Sequence, residues 1–328
     1  MLEHGGRLHQ AARRYGITRA DWLDLSTGIA PYSLALPDIP LTAWARLPEP
    51  DDELEAAARS YYNAASLLPV AGSQTAIQAL PRLRAPSRVG ILAPCYAEHA
   101  QAWQRAGHEL IQLDEQNLPA ALDTLDVLLV VNPNNPSGRL LAPERLLEWQ
   151  AWLARRGGWL IVDEAFMDCT PQASLARQTG LPGLIVLRSF GKFFGMAGAR
   201  LGFVLGEKSL LEALNEQLGP WPIAGPTRVI ACAQLQDAVG QHRQRERLHS
   251  DGQRLADLLT QHALPPAGGC ALFQWLRHPQ AAELHATLAR QGILTRLFHA
   301  PSSLRLGLPP DVAGWARLEQ ALTGWKAA

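Results

Sequence analysis

Five short apolar runs, each closed by turn residues, recur through the middle of this 328-residue chain: RVGILAP (88–94), DVLLVVNP (126–133), GWLIVDE (158–164), GLIVLRS (183–189) and RLGFVLG (200–206). A strand apolar at every position cannot show one side to water, so such runs belong in a sheet covered on both faces. Between several of them lie helix-like segments, for example PERLLEWQAWLARRG (143–157), with Pro143 at its first turn and Gly157 at its end. Strands alternating with helices predict an α/β fold on a mainly parallel sheet. After Pro226 the texture changes to a helical pattern over 226–262, short strands near 268–276 and 292–298, and a last helix from about Pro310. The expected organisation is an N-terminal arm (1–40), a large α/β domain (41–225) and a smaller α+β domain (226–328).

Composition narrows the function classes. The chain is 47% hydrophobic and 18% charged, as in a globular protein rather than a disordered one. Thirty basic residues balance thirty acidic ones, so no overall field draws in a nucleic acid or an anionic membrane, and neither is expected as a partner. Cys95, Cys169, Cys232 and Cys270 are scattered and form no C-x-x-C pair, so neither a disulfide framework nor a metal site is expected. The N-terminal MLEHGGRLHQAARRYG lacks the apolar stretch of a signal peptide, and nowhere do eighteen apolar residues run together; the cytoplasm is the expected location.

In open α/β sheets ligands collect beyond the carboxyl ends of the strands, so chemistry is sought just after the apolar runs. VVNPNNPSG carries Asn135 into a turn, IVDEAF ends on Asp163, and VLRSFGK ends on Ser189 and then Lys192. In SFGKFFGMAGARLG, Lys192 stands among small and aromatic residues with Arg200 eight positions on. Upstream, AGSQTAIQAL opens a helix with Gly72, Ser73 and Gln74, whose unpaired backbone N–H groups suit an anion such as phosphate. Singly, a strand-end aspartate is also a common cap and N-P-x-G a common turn.

The order G-S-x-x-A, N-P-x-x-P-[ST]-G, D-E-A-[YF] and S-x-x-K with an arginine eight residues later resembles the fold-type I pyridoxal-phosphate enzymes, the aspartate aminotransferase superfamily, over nearly the whole chain. The resemblance implies a large domain with a seven-stranded, mainly parallel sheet, pyridoxal 5'-phosphate as cofactor, and a homodimer. It implies that Lys192 holds the cofactor covalently, that Asp163 pairs with its ring nitrogen, and that Asn135 bonds its phenolic oxygen. Ser189, Arg200, Gly72, Ser73 and Gln74 would hold its phosphate, and Tyr96 in APCYAEH would stack on the ring; Lys192, Asp163 and Tyr96 form the catalytic set. Arg305 in SSLRLGLP matches the arginine that receives a substrate α-carboxylate, a task suited to its planar two-pronged geometry.

Two branches resemble the chain most, one decarboxylating L-threonine O-3-phosphate in cobalamin biosynthesis and one transaminating histidinol phosphate. EHGGRLHQAARRYG, followed by LDLSTGIAPYS, resembles the opening of the decarboxylase branch, and Phe166 stands where aminotransferases carry a tyrosine. On that resemblance a small phosphorylated amino acid is the expected substrate. His4 and Arg296 would bind its phosphate, and Gly28 with Arg305 its carboxylate. The aminotransferase reading and that of a catalytically silent scaffold stay open at this point. In RLPEPDDELEAAARSYY (46–62), Leu47 stands where the superfamily has a tyrosine that reaches the partner subunit's cofactor.

Overall fold

The computed structural model describes residues 2–50 and 52–325. These form two compact units: one of 34–135 and 140–243, the other of the residues up to Ser33, Pro136–Arg139 and Gln244 onward. The division differs from one at 41 and 226, for two physical reasons. The helix Gly225–Gln236 belongs with the first unit because its buried Arg228 is clamped by Asp52 at 2.5 Å and Glu55 at 2.8 Å. The N-terminal segment is part of the second unit's core, where Ala11 and Trp22 pack with Ala289 and Leu294.

The first unit is built on a seven-stranded sheet in the order Leu67–Val70, Gly202–Leu205, Leu184–Ser189, Trp159–Asp163, Val127–Val131, Arg88–Leu92, Glu109–Leu113. Only Gly202–Leu205 runs against its neighbours. All five residues of Val127–Val131 and all six of Leu184–Ser189 are buried, as strands covered on both faces must be. One core cluster joins Val127, Leu129, Val131, Ile161, Ile185 and Leu187 of the sheet to Ala76, Ile77 and Trp103 of the helices on it. The five apolar runs are thus the centre of the sheet, while Leu67–Val70 and Glu109–Leu113 are edges outside those runs.

The helical pattern over 226–262 is two helices, Gly225–Gln236 and Ala238–Gln261. Asp237 makes the break: at ψ 74° it leaves the helix, and its carboxylate accepts the Gly240 N–H at 2.8 Å to cap the next one. Gln241 donates to the carbonyls of Gln234 and Leu235, two of the acceptors the break exposes.

The second unit has a four-stranded antiparallel sheet in the order Arg296–His299, Ser302–Gly307, Phe273–Arg277, Gly268–Cys270, and a parallel pair between Leu23–Asp24 and Ile293–Leu294. The segment Pro136–Arg139 lies on its Gly268–Cys270 edge. Gly138 has φ +71°, and a Cβ there would fall 2.1 Å from the Gly269 carbonyl oxygen, so no larger residue fits. No helix of the described residues is long and apolar enough to cross a membrane.

Candidate active site

Two neighbouring strands of the first unit end on residues singled out by the sequence, Asp163 and Ser189, and a third, Val127–Val131, leads into the turn that carries Asn135. Val131 pairs with Asp163, Asp163 pairs with Leu187, and Ser189 closes the strand of Leu187. Asn132 donates its backbone N–H to the Asp163 carbonyl at 2.9 Å, and its side-chain amide pairs with both backbone groups of Leu141. That pair closes the loop carrying half-buried Asn135, so Asn132 is the structural asparagine of the two.

Beneath these ends lies a buried ionic network. Side chains alternate sides along a strand, so Asp163 and Ser189 face one way while Glu164 and Arg188 face the other. Arg188, 2% exposed, donates to Glu164 at 2.7 Å and to Asp168 at 2.6 Å. Tyr61 donates to Asp168 at 3.0 Å, Leu175 N–H to Glu164 at 2.7 Å, and the Tyr62 ring lies 4.6 Å from the guanidinium carbon. Burial works against the Arg188 charge, but Asp168 and Glu164 together hold its pKa above the ordinary value.

Lys192 lies on the short helix Phe190–Phe193, its Nζ 5.7 Å from the centre of the Phe166 ring. The aromatic residues around it fix that helix, with Phe190 stacked on Phe194 at 4.4 Å. Gly191 permits the tight return: a Cβ there would stand 2.8 Å from Ala197 Cα. Arg200 takes the left-handed conformation, φ 53°, which L-residues with a side chain rarely adopt and which costs on the order of 1–3 kcal/mol at functional sites. The result is that its guanidinium lies over Gly72, where a Cβ would sit 2.6 Å from Arg200 Nη2. Gly202 is packed equally closely on the Ser73 N–H, its added Cβ falling 2.5 Å away. Gly72, Ser73 and Arg200 therefore form one cradle.

Gln74 uses its side chain differently. Its amide donates to Glu98 at 2.8 Å and accepts from the Tyr96 hydroxyl at 3.2 Å, so its contribution to the cradle is its backbone. Tyr96 meets His99 edge-on at 6.0 Å between ring centres, and His99 Nε2 lies 2.8 Å from Asp163 Oδ2. His99 is the residue the sequence reading missed. It stands three places after Tyr96 in APCYAEH, and only the sheet order brings it to a carboxylate 64 residues on. The neighbouring Cys95 is inert: burial, and then Asp163, push its thiol up to about 12. At pH 8 its alkylation by iodoacetamide should run about a thousandfold slower than that of a thiol at the ordinary value. Peptide mapping after timed alkylation, native against urea-unfolded, checks this; equal rates would refute the burial argument.

The remaining predicted residues gather in the second unit. His4 and Arg296 line one cavity of about 360 Å³ with Arg7, Arg14, His285 and Ser26. Glu3 holds Arg296 in place through its carbonyl at 2.6 Å and its carboxylate at 3.5 Å. Burial pushes the Arg296 guanidinium down and Glu3 opposes it; burial, then Arg14 and Arg296, push His285 down. Arg296 is paired directly with Arg305 across the antiparallel strands. Like charges opposite each other are destabilising, and an anion between them reverses that sign. Arg305, 6% exposed, donates to the Ser26 carbonyl at 3.1 Å and lies 5.0 Å from the Phe273 ring centre. The H-G-G turn sits on the same segment: a Cβ at Gly5 would fall 2.2 Å from the Ser26 carbonyl oxygen, and Gly6 N–H donates to Ser26 Oγ at 2.7 Å. Gly28, buried, follows two residues on. Among the described residues no group of His, Cys, Asp or Glu is placed to hold a metal ion.

The family model for aminotransferase class I and II matches residues 41–313. The chain belongs to that family. Within this family it is 65% identical over 326 residues, 99% of this chain and 98% of the relative, to the threonine-phosphate decarboxylase of Pseudomonas aeruginosa. A threonine-phosphate decarboxylase of a Sinorhizobium species is 44% identical, covering 98% of this chain and 97% of the relative. Among solved class I and II folds, the histidinol-phosphate aminotransferase of Clostridium acetobutylicum superposes with a TM-score of 0.83 over 92% of this chain and 98% of its own, at 22% identity.

Proposed function

We propose that this protein is a pyridoxal-phosphate-dependent decarboxylase that converts L-threonine O-3-phosphate to (R)-1-amino-2-propanol O-2-phosphate and CO₂ for cobalamin biosynthesis. The observation that carries the reading is the 65% identity, over 99% of the chain, to a threonine-phosphate decarboxylase. Its likeness to the aminotransferase structure is one of fold.

The residues present fit the cofactor. The cradle of Gly72, Ser73 and Arg200, beside Gly202 where a Cβ would fall 2.5 Å from the Ser73 nitrogen, offers backbone N–H groups and a guanidinium to its phosphate, with Ser189 at the adjacent strand end. Lys192 would hold it through Nζ, Asp163 would take a hydrogen bond from the ring nitrogen, Asn135 would donate to the phenolic oxygen, and Tyr96 would cover the ring. When bound, pyridoxal phosphate draws into its ring the electron pair left when a bond at the substrate's α-carbon breaks. Arg305, with Gly28, would hold the α-carboxylate so that the bond to it is the one broken. His4 and Arg296 would hold the substrate phosphate. Lys192 Nζ would return a proton to the α-carbon.

A homodimer in the cytoplasm belongs to the same reading. What supports the dimer is the exposure of Leu41 at 80%, Trp44 at 67% and Leu47 at 64% within seven residues, apolar surface of the kind that marks subunit contacts. Sedimentation equilibrium at two loading concentrations tests the dimer.

The test of function is incubation of the holoenzyme with L-threonine O-3-phosphate and no keto acid, trapping CO₂ and identifying the amine. CO₂ with aminopropanol phosphate is the expected result, and Arg296→Ala should raise KM for this substrate about 10- to 100-fold, the cost of one charge-assisted phosphate contact. No CO₂, but pyridoxamine phosphate on adding histidinol phosphate, would place the chain with the aminotransferases.

A further inference from the structure

We propose that Gln74 and Glu98 are positioning residues for Tyr96: Glu98 fixes which end of the Gln74 amide meets the phenol, and the phenol so held keeps the Tyr96 ring over the cofactor. The inference rests on the cofactor reading above.

The helix Ser73–Ala79 presents Gln74 and Gln78, one turn apart, to the same carboxylate. Glu98 Oε2 accepts from Gln74 Nε2 at 2.8 Å and from Gln78 Nε2 at 3.2 Å. Glu98 stands in the first turn of the helix Ala97–Arg105, the end of a helix that favours a negative charge. A carboxylate only accepts, so the Gln74 amide turns its nitrogen to Glu98 and its oxygen away. That oxygen lies 3.2 Å from the Tyr96 hydroxyl, which is therefore the donor of the pair. With an amide or a hydroxyl at position 98, either end of Gln74 could face Tyr96, since those groups both donate and accept. The carboxylate removes the choice.

The hydroxyl of a tyrosine lies on the axis of its second torsion. The Gln74 bond thus fixes the direction of the Tyr96 side chain, and the edge-on contact with His99 at 6.0 Å limits the turn of its ring. Gln74 is shared between two tasks. Its backbone N–H belongs to the cradle offered to the cofactor's phosphate, and its side chain holds the residue offered to the cofactor's ring. One residue therefore relates the two ends of the same ligand, and Glu98 sets the direction of that link.

The test compares wild-type holoenzyme with Glu98→Leu, Tyr96→Phe and the double variant. The readouts are the visible circular dichroism of the bound cofactor, the dissociation constant of pyridoxal phosphate, and the melting temperature. Glu98→Leu keeps the volume and loses the acceptor; its dichroic band should weaken and its dissociation constant rise about 2- to 10-fold, the loss of one hydrogen bond. Tyr96→Phe should do the same. The double variant should lie within about twofold of Tyr96→Phe, because both changes cut one chain. Glu98→Gln keeps an acceptor oxygen and should recover most of the signal. If Glu98→Leu fails to fold, Gln74→Met, which loses the amide and keeps the backbone, gives the same comparison. Unchanged dichroism and affinity in Glu98→Leu overturn the inference. So does a Glu98→Leu effect as large in the Tyr96→Phe background as in the wild type, which would leave Glu98 a residue of helix packing. A wild-type protein in which pyridoxal phosphate gives no visible band overturns the cofactor reading itself, and the inference with it.

Discussion

Lys192→Ala should abolish the visible-edge absorbance of the holoenzyme and lower CO₂ release by at least about 10⁴-fold, because in the proposed function the residue would serve both as the covalent anchor and as the acid that reprotonates the α-carbon. Lys192→Arg should fail as badly: a guanidinium keeps the positive charge but is neither nucleophile nor proton donor near neutral pH. The far-ultraviolet circular dichroism should be unchanged in both, since the short helix Phe190–Phe193 is held by Phe190 stacking on Phe194 and not by the lysine. Borohydride reduction followed by peptide mapping gives a direct reading, because the chain has only two other lysines, Lys208 and Lys326. Cofactor fixed to either of those, or turnover surviving in Lys192→Ala, would sink the assignment.

The second large effect is on stability. Arg188→Met should lower the free energy of unfolding by about 3–5 kcal/mol, the usual consequence of leaving a buried charge without its partner. Glu164 and Asp168 both lose their cation, at 0% and 1% exposure, and neither can turn to water. The triple change Arg188→Met, Glu164→Gln, Asp168→Leu should recover most of the loss, because removing all the charges also removes their desolvation. Urea unfolding followed by tryptophan fluorescence measures both. A triple variant no more stable than Arg188→Met would mean that the loss came from packing against Tyr62 rather than from charge.

How far the sequence spoke for the structure follows from which forces leave local traces. Strands buried on both faces must be apolar throughout, so Val127–Val131 and Leu184–Ser189 were legible. The edge strand Glu109–Leu113 is partly exposed and breaks its apolar residues with Gln112, and the apolar Leu67–Val70 is only four residues long and carries a proline, which argues against a strand. Ser302–Gly307 was hidden because buried Ser303 and Arg305 interrupt its apolar positions. In the candidate site, Lys192 and Asp163 stand out in the sequence because the chemistry that the resemblance implies needs fixed residues at fixed distances from strand ends. His99 carried no such trace, since its relation to Asp163 is made by the order of strands across the sheet, and a single histidine on a helix reads as an ordinary core residue. Arg7 and Arg14 were passed over likewise: their role in the cavity appears only when the helix Leu8–Tyr15 is seen to lie against Ala289 and Leu294.

The dipeptides Asp163–Glu164 and Arg188–Ser189 each divide across the sheet, Glu164 and Arg188 in the buried foundation and Asp163 and Ser189 on the side of the proposed cofactor site. Reading frame in space thus matters here as it does in a gene. Deleting one residue from Trp159–Asp163 would turn every later side chain to the opposite face. It would send Asp163 toward Arg188 and Glu164 toward His99, and so exchange two carboxylates that differ by a single methylene. Substitutions can be tested at either surface one at a time, but length changes in these two strands strike chemistry and foundation together, which confines insertions and deletions to the loops beyond them.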